Sequence, residues 1–342
     1  MALTIGRCGE HDVDEVVRFL DEHWQRGHAL VVSRRLLDWQ YRDADGGYSF
    51  VVARIDGEVA GLLGYISTRR YDPALAGDNV VWLTTWKVRD DAGVSGLGLA
   101  MLQHLAAAES HVAIGAVGFN VATRPMYQAL GFTVGELQHY ALASATPREF
   151  LLASFAERPA PARVAATPAV AGRVLSNAAD FDRLVETGAS APRKTGRYFH
   201  ARYACHPLYN YRVLAIEDKG ATVALLATRI AEHDGQRAVR IVDFAGAHDV
   251  VGRIGPVVQA LVEDSDAEYA DVYNTGIDPT LFARSGFVRI VPEGADIVPD
   301  HFEPFERRNV RLWFSLKGAR APVLFKGDGD QDRPNLVSHN QR

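Results

Sequence analysis

Three glycines stand close together where a strand-like stretch gives way to a helical one. Residues 80–88 are rich in β-branched and aromatic side chains, and a helix-forming run begins at Leu99. Glycines at such a turn leave backbone N–H groups uncovered, and the N-terminus of the following helix adds a partial positive charge. The turn therefore predicts a cradle for two linked phosphates. The residues of this cradle are Gly93, Val94, Ser95, Gly96, Leu97, Gly98 and Leu99.

Two other glycine-rich phosphate sites fit this turn less well. The order Gly93-x-x-Gly96-x-Gly98 runs opposite to the dinucleotide pattern G-x-G-x-x-G, and it follows about the fourth strand instead of the first. No Gly-Lys-Ser/Thr follows the turn, which excludes a P-loop. A plain loop that binds nothing is the remaining alternative.

Two polar residues follow the turn. Tyr127 comes seven residues after Asn120 and just before the pair Gly131-Phe132. A phenol with a pKa near 10 keeps its proton at neutral pH and can give it to a departing thiolate. A packed aromatic ring is the alternative for Tyr127, and a helix cap is the alternative for Asn120.

Together the glycine turn, Asn120, Tyr127 and Gly131-Phe132 resemble the GCN5-related N-acetyltransferase (GNAT) superfamily, which holds the phosphates of acyl-coenzyme A at this turn. The resemblance implies acetyl-CoA or another short acyl-CoA as co-substrate and Tyr127 as general acid. Gly93 departs from the family pattern, which has Gln or Arg there. That change removes a side-chain contact but leaves the backbone donors.

The same resemblance places the pantetheine arm of the coenzyme along the strand 84–88, with Trp86 and Val88 nearest the thioester and Asn120 beside the arm. A backbone N–H near the end of that strand would receive the thioester carbonyl and stabilise the oxyanion of the intermediate. No residue stands out as a general base. The attacking amine can arrive neutral or lose its proton to water, and proximity supplies part of the rate.

Three segments of the first half are echoed in the second half in the same order, which predicts a duplicated domain. The second copy has Phe282 in the place of Tyr127, and Asp249 among widely spaced glycines in the place of the turn. We therefore expect the second half to have lost coenzyme binding. The echoed pairs are 35–41 with 197–203, 59–64 with 222–227, and 126–132 with 281–287.

The pattern of elements predicts an α/β (α+β) fold. The resemblance implies two GNAT-like domains, each a mixed, mostly antiparallel sheet flanked by helices. The first domain would span residues 1–144 and bind acyl-CoA. An Ala/Pro-rich linker would follow at 145–172, then a degenerate domain at 173–317 and a polar tail at 318–342. Aspartates in the tail suggest the start of a calcium loop, but the positions for glycine and glutamate are wrong, so no metal is expected.

Composition limits the class of protein further. With 342 residues, 47% hydrophobic and 23% charged, the chain can bury the cores of two domains. A formal net charge of -5 gives no reason to expect nucleic acid as a partner. Two cysteines cannot form a disulfide framework, and no apolar run approaches the about 20 residues of a membrane span. We expect a cytoplasmic protein without a membrane partner, and the oligomeric state stays open.

The acceptor is predicted from a segment that mixes arginine, histidine and aromatic residues. Guanidinium groups fit diphosphate oxygens, although aromatic residues at helical spacing also pack against sheets. With its duplicated layout, the segment Tyr203-x-x-His206-Pro207 and the tail sequence Gly-Asp-Gly-Asp-Gln-Asp-Arg-Pro at 327–334, the chain resembles two-domain N-acyltransferases that modify nucleotide-linked deoxyamino sugars for surface polysaccharides. The alternatives are another small-molecule amine, as in mycothiol synthase, or a module that binds acyl-CoA without turnover. The predicted acceptor residues are Arg35, Arg197, Tyr203 and His206.

Overall fold

The computed structural model describes residues 2–146, 148–157, 170–182 and 192–336 of the chain. Residues 147 and 158–169 of the predicted linker, 183–191 of the second predicted domain and 337–342 of the predicted tail lie outside the described residues.

The first half contains six strands and five α-helices among its described residues. Its strands are β1 (Leu3–Cys8), β2 (Tyr48–Ile55), β3 (Glu58–Ser67), β4 (Val80–Val88), β5 (Ala113–Val117) and β6 (Thr133–Ala143). Its helices are α1 (Val13–Phe19), α2 (Ala29–Val32), α3 (Arg34–Tyr41), α4 (Leu97–Ala108) and α5 (Arg124–Ala129).

The second half repeats this succession. Its strands are β7 (Ala171–Val174), β8 (Tyr211–Asp218), β9 (Ala221–His233), β10 (Gln236–Gly246), β11 (Tyr269–Thr275), β12 (Val288–Ile290), β13 (His301–Phe302), β14 (Phe305–Glu306), β15 (Leu312–Lys317) and β16 (Leu324–Phe325). Its helices are α6 (Ala178–Asp182), α7 (Gly196–Phe199), α8 (Gly255–Asp264) and α9 (Pro279–Arg284).

Fourteen of the described strands form one sheet, whose main path runs β1-β2-β3-β4-β5-β15-β6-β11-β10-β9-β8-β7. Two pairs are parallel, β4 with β5 and β10 with β11, and the other pairs in the sheet are antiparallel. Helices flank the sheet, so the predicted fold class is confirmed. The order β1 to β5 is mirrored by β7 to β11. The three sequence echoes fall on equivalent elements: α3 with residues 196–204, β3 with β9, and α5 with α9.

Each half lends a strand to the other. β15 lies between β5 and β6, pairing Phe314 with Val117 on one side and with Gly135 on the other. The second part of β6 pairs in turn with β11 and β12 of the second half. A division into separate units at residue 144 does not match this topology, because the exchanged strands lie inside the one continuous sheet.

Apolar side chains cover both faces of the part of the sheet that the first half forms. On one face Leu30 and Tyr41, from the helices α2 and α3, are buried with Trp82 of β4. On the other face Met101 of α4 packs in a cluster that includes Tyr127. The site described below lies at the ends of β4 and β5.

The predicted polar tail is part of the core in its described portion. β16 pairs with β11, and the four alternating charged residues that follow it are each at most 5% exposed. Their charges are paired over long sequence distances, as between Lys194 and Asp328 at 2.8 Å and between Arg229 and Asp332 at 2.7 Å. The four residues are Lys326, Asp328, Asp330 and Asp332.

Candidate functional site

The glycine turn leaves the N-terminus of α4 uncovered. Gly93 and Gly96 adopt positive φ angles of +65° and +76°, which side chains rarely tolerate, and Gly96 offers no side chain to cap the helix. The first helical bond runs from the N–H of Ala100 to the carbonyl of Gly96 at 3.0 Å. The N–H groups of residues 97–99 precede it and have no partner within the helix. The predicted cradle therefore has free donors.

The negative charges nearest the turn are neutralised by the chain itself. Asp90 lies 2.8 Å from the ammonium of Lys87, and Asp91 lies 3.0 Å from the guanidinium of Arg89. The Lys87 ammonium also lowers the pKa of Asp90. An anion at the helix N-terminus would therefore meet paired carboxylates, so repulsion is small.

β4 loses its neighbour on one side halfway along its length. Its pairing with β5 runs from Val80 to Trp82, whereas its pairing with β3 continues to Val88. Among the described strands, none pairs with this edge of β4 at residues 83–88. The register between β3 and β4 also shifts, which leaves an extra residue in β4 near Thr84. β4 and β5 thus separate and leave a wedge-shaped gap in front of α4, with backbone groups of β4 along one wall.

Trp86, on β4, contacts the first turn of α4. A Cβ atom on Gly98 would lie only 3.2 Å from the indole Nε1 of Trp86, so the missing side chain allows the indole to pack against the first turn of α4. Val88, at the end of the strand, packs against the cluster on the α4 face. The structure therefore brings Trp86, Val88 and the glycine turn together, and their contact with a coenzyme stays a prediction.

Tyr127 lies deep in the same region. It is 3% exposed and packs against the rings of Trp86, Phe119 and Phe132, with centroid distances of 6.2, 4.8 and 5.3 Å. Burial raises the pKa of Tyr127 to about 12, and the hydroxyl of Ser315 on β15 acts in the opposite direction. The phenol is therefore protonated at neutral pH, which is the state that a general acid needs.

Asn120 is exposed and caps the short 3₁₀ helix Val121–Thr123. Its side-chain oxygen accepts the N–H of Ala122 at 3.0 Å. This geometry matches the capping alternative for Asn120, and a contact with the coenzyme stays a prediction.

The four predicted acceptor residues do not form one cluster. Arg35 and Arg197 are exposed on α3 and α7. Tyr203 is 3% exposed and donates its hydroxyl to Asp243 at 2.7 Å, a contact within the core. His206 packs edge-on against Trp39, and burial, helped by the charge of Arg202, lowers its pKa to about 3. Tyr203 and His206 line one small cavity together, whereas the two arginines lie elsewhere.

Sequence reasoning missed the part that the tail plays at the wedge. A Cβ atom on Gly118 would overlap the side chain of Gln331, and one on Gly329 would lie 3.1 Å from Cβ of Val117. The tail thus crosses the end of β5, on the face opposite α4. The alternation of Asp328, Asp330 and Asp332 was visible in the sequence, but their partners lie too far along the chain to be found by spacing.

The equivalent wedge of the second half is filled. β10 and β11 pair only as far as Ile241 and Val272, and the space beyond is occupied by β16, which pairs with the last residues of β11. This insertion gives a physical reason to expect no coenzyme in the second half. Among the described residues, no group of three or more His, Cys, Asp or Glu side chains is arranged to hold a metal ion. No helix in the described ranges is long and apolar enough to cross a membrane.

Comparison with known proteins identifies the unit that carries the wedge. Residues 13–132, which include the glycine turn and Tyr127, match the Acetyltransferase (GNAT) family. This part of the chain is therefore similar to acetyltransferase domains of the GNAT family, in agreement with the resemblance seen in the sequence. No curated protein matches the chain.

Solved structures share the fold over most of the chain. A GCN5-related N-acetyltransferase from Anabaena variabilis has 10% identity and a TM-score of 0.54, over 92% of this chain and 72% of that chain. One from Kribbella flavida has 14% identity and a TM-score of 0.51, over 92% and 70%. A probable N-acyltransferase from Enterococcus faecalis has 10% identity and a TM-score of 0.53, over 93% and 73%. Identities this low show a common fold alone.

Proposed function

We propose that the protein is a CoA-dependent N-acyltransferase. It transfers an acetyl or other short acyl group from acyl-CoA to the amino group of a nucleotide-linked deoxyamino sugar. The observation that carries the acyl-transfer part is the wedge between β4 and β5, which opens directly in front of the uncovered N-terminus of α4. The acceptor class rests on the sequence resemblance. Another small-molecule amine and acyl-CoA binding without turnover are the alternatives.

The residues of the wedge suit each part of such a substrate. The N–H groups of residues 97–99 would receive the diphosphate, since free helix donors favour anions. The free edge of β4 would pair with the amides of the pantetheine arm, and a backbone N–H near the extra residue would stabilise the oxyanion. Tyr127 would stand beside the departing sulfur.

The reaction then needs one proton transfer from the protein. The neutral amine attacks the thioester carbon, and a tetrahedral intermediate forms with its negative oxygen on the backbone donor. The carbon–sulfur bond breaks, and the thiolate takes the phenolic proton of Tyr127. The amine loses its extra proton to water, because the sequence offers no clear general base. Holding amine and thioester together contributes much of the rate.

Replacing Tyr127 separates catalysis from binding. We expect Tyr127→Phe to lower kcat for thiol release by about 100-fold, the usual worth of a positioned acid, with an unchanged Kd for acetyl-CoA in calorimetry. Tyr140→Phe is the matched control. It also removes a hydroxyl from a buried ring, in this case one that donates to Gln138. An unchanged kcat in Tyr127→Phe would show that Tyr127 is not the acid.

The overall activity is tested by detecting free thiol with acetyl-CoA and a panel of nucleotide-linked amino sugars and simpler amines. Release of thiol with an amino sugar supports the proposal. Release only with other amines supports the first alternative. Binding of acetyl-CoA without thiol release from any amine contradicts the enzymatic proposal and leaves a binding module.

A further inference from the structure

Three neighbouring cavities share residues in their walls. The outer cavity measures about 450 Å³ and is lined by Tyr209, Arg229 and Glu303. The middle cavity, of about 50 Å³, has these same three residues in its wall and reaches Asp330 and Arg333 of the tail. The inner cavity, of about 20 Å³, is lined by Asp330 and Arg333 as well. The three cavities therefore form a series of decreasing volume, which we call the path.

The inner end of this path lies close to the free edge of β4. Gln40 lines the inner cavity and donates to the hydroxyl of Tyr41 at 2.8 Å. That hydroxyl lies 2.9 Å from Oγ1 of Thr84, in the part of β4 where the register shifts. Two hydrogen bonds thus connect the inner cavity to the strand, on the face of the sheet opposite α4. An acceptor arriving by this path would not collide with a coenzyme held at the helix.

Two buried polar atoms at the inner cavity have no partner among the described residues. They are Oδ1 of Asp332 and Nε of Arg202, and both residues line the cavity. The other oxygen of Asp332 is held by the hydroxyl of Tyr211 at 2.6 Å and by Nε of Arg229 at 2.7 Å. One free acceptor and one free donor fit a group that both donates and accepts, such as a hydroxyl or a neutral amine.

The charges along the path suit a polar body with an anionic end at the surface. Inside, cations are matched by acids, as with Lys326 and Asp300 at 2.6 Å, so the walls offer hydrogen bonds with little net charge. At the mouth, Arg212 lines the outer cavity and is exposed, and it makes no ion pair within the described part of the chain. A phosphate group would find a free guanidinium there.

We infer that these three cavities form the acceptor channel, which takes a polyhydroxylated amine with its anionic end at Arg212 and one polar group between Asp332 and Arg202. The inference rests on the proposed function for the reaction itself. A buried water in the inner cavity is the competing occupant, because its volume suits one water molecule with polar partners.

The mouth is tested with Asn210→Trp. Asn210 is exposed and lines the outer cavity, so an indole there obstructs entry with little effect on folding. We expect KM for the reactive amine to rise at least about tenfold, with unchanged KM for acetyl-CoA. Leu3→Trp adds the same ring at an exposed position on β1 and is expected to leave both constants unchanged. Equal amine KM values for Asn210→Trp and the wild type would overturn the channel while acyl transfer stands.

The inner end is tested with Asp332→Asn, which keeps the shape and removes the charge. We expect KM for the amine to rise about tenfold, in line with the loss of a hydrogen bond to a charged group. If Asp332 only holds a structural water, Asp332→Asn will lower the melting temperature and leave the amine KM unchanged. That result would overturn the assignment of Asp332. If Asp332→Asn does not fold, Asn210→Trp still decides the channel.

A readout without turnover separates the channel from the reaction. Hydrogen exchange of residues 300–303 and 326–335 is measured in the whole chain with and without UDP-glucosamine and glucosamine. Slower exchange that Asn210→Trp abolishes supports the channel even if no thiol is released, and the proposed function then fails alone. No change in exchange together with no thiol release overturns both. Protection by UDP-glucosamine but not by glucosamine supports the phosphate contact at Arg212.

Discussion

At the scale of single residues, two histidines are held neutral inside the protein. Burial lowers the pKa of His28 to about 3, and the charge of Arg333, whose guanidinium lies 2.7 Å from Nε2, acts in the same direction. Asp330 opposes this shift. His206 has its pKa lowered to about 3 by burial first and by Arg202 second. Both histidines are therefore neutral in the folded protein at neutral pH.

These depressed pKa values predict the direction of the pH dependence. The unfolded chain takes up a proton at each histidine as the pH falls below about 6.5, whereas the folded chain does so only near the lowered pKa. Stability is thus fully present above about pH 6.5 and is lost as the pH falls towards 3. The expected slope is about 1.4 kcal/mol per pH unit for each histidine, superimposed on the carboxylates at the acid end.

His28→Asn isolates one of these terms. His28 caps α2 by accepting the N–H of Leu30 at 3.1 Å, and asparagine keeps a capping oxygen but does not titrate. We expect the variant to lose about 2 kcal/mol less than the wild type between pH 6.5 and pH 5, measured by urea unfolding at both values. Identical losses in the two proteins would contradict a neutral, buried His28.

Single residues could be predicted where the signal is local in the chain and could not where it depends on a distant partner. Tyr127 could be proposed from the sequence because its helix and its spacing from Asn120 are local features of the chain, and its catalytic role stays a prediction. Asp330 and Asp332 were judged part of a polar tail, because acidic residues near a chain end are usually solvated. Their burial follows from partners such as Arg229, which lies 103 residues from Asp332. A local sequence pattern does not show such a pair, because the partner that allows the charge to be buried lies in a distant part of the chain.

At the scale of elements, the turn before α4 depends on backbone that only glycine adopts easily. Gly96 has a φ of +76° with nothing within 4 Å of a would-be Cβ, so an alanine there causes backbone strain without a clash. Gly57, at the tip of the β2–β3 hairpin, has a φ of +92° and is equally open. The two positions allow strain at the site to be compared with strain elsewhere.

Gly96→Ala and Gly57→Ala should each destabilise the protein by about 1 kcal/mol, the usual cost of a left-handed conformation with a side chain. Only Gly96→Ala should raise the Kd for acetyl-CoA, by about tenfold, because relief of the strain moves the N–H groups at the start of α4. Thermal unfolding and calorimetry on the two variants check this. Equal Kd values for both would mean that the turn does not hold the coenzyme.

Elements were easier to predict than their arrangement. Strand 80–88 was predicted and is β4, and the helix predicted from Leu99 begins at Leu97. The residues Asp56-Gly57 between β2 and β3 are typical of a hairpin turn, and both have positive φ angles. The position of β15 between β5 and β6 was not predicted. Alternation of apolar residues marks a strand but does not identify its neighbours, which lie in a distant part of the chain.

At the scale of the whole molecule, strand exchange makes the two halves depend on each other. β15 lies between β5 and β6 of the first half, and the second part of β6 pairs with β11 and β12 of the second half. Removing either half would expose two long strand edges and the apolar faces beside them. Exposed edges of this kind lead to aggregation. The wedge is affected as well, because β15 brings Ser315 close to Tyr127 and leads into the tail that crosses the end of β5.

Two fragments test this dependence. We expect residues 1–157 and 170–342, each produced alone, to be poorly folded and to aggregate, because each lacks an interior strand that the other carries. Produced together, they should form a 1:1 complex with the circular dichroism spectrum of the intact chain. That complex should bind acetyl-CoA, whereas the first fragment alone should not. Size-exclusion chromatography with light scattering and calorimetry measure both outcomes. A first fragment that folds and binds acetyl-CoA by itself would show that β15 is dispensable, and the acetyltransferase domain would then be an independent unit.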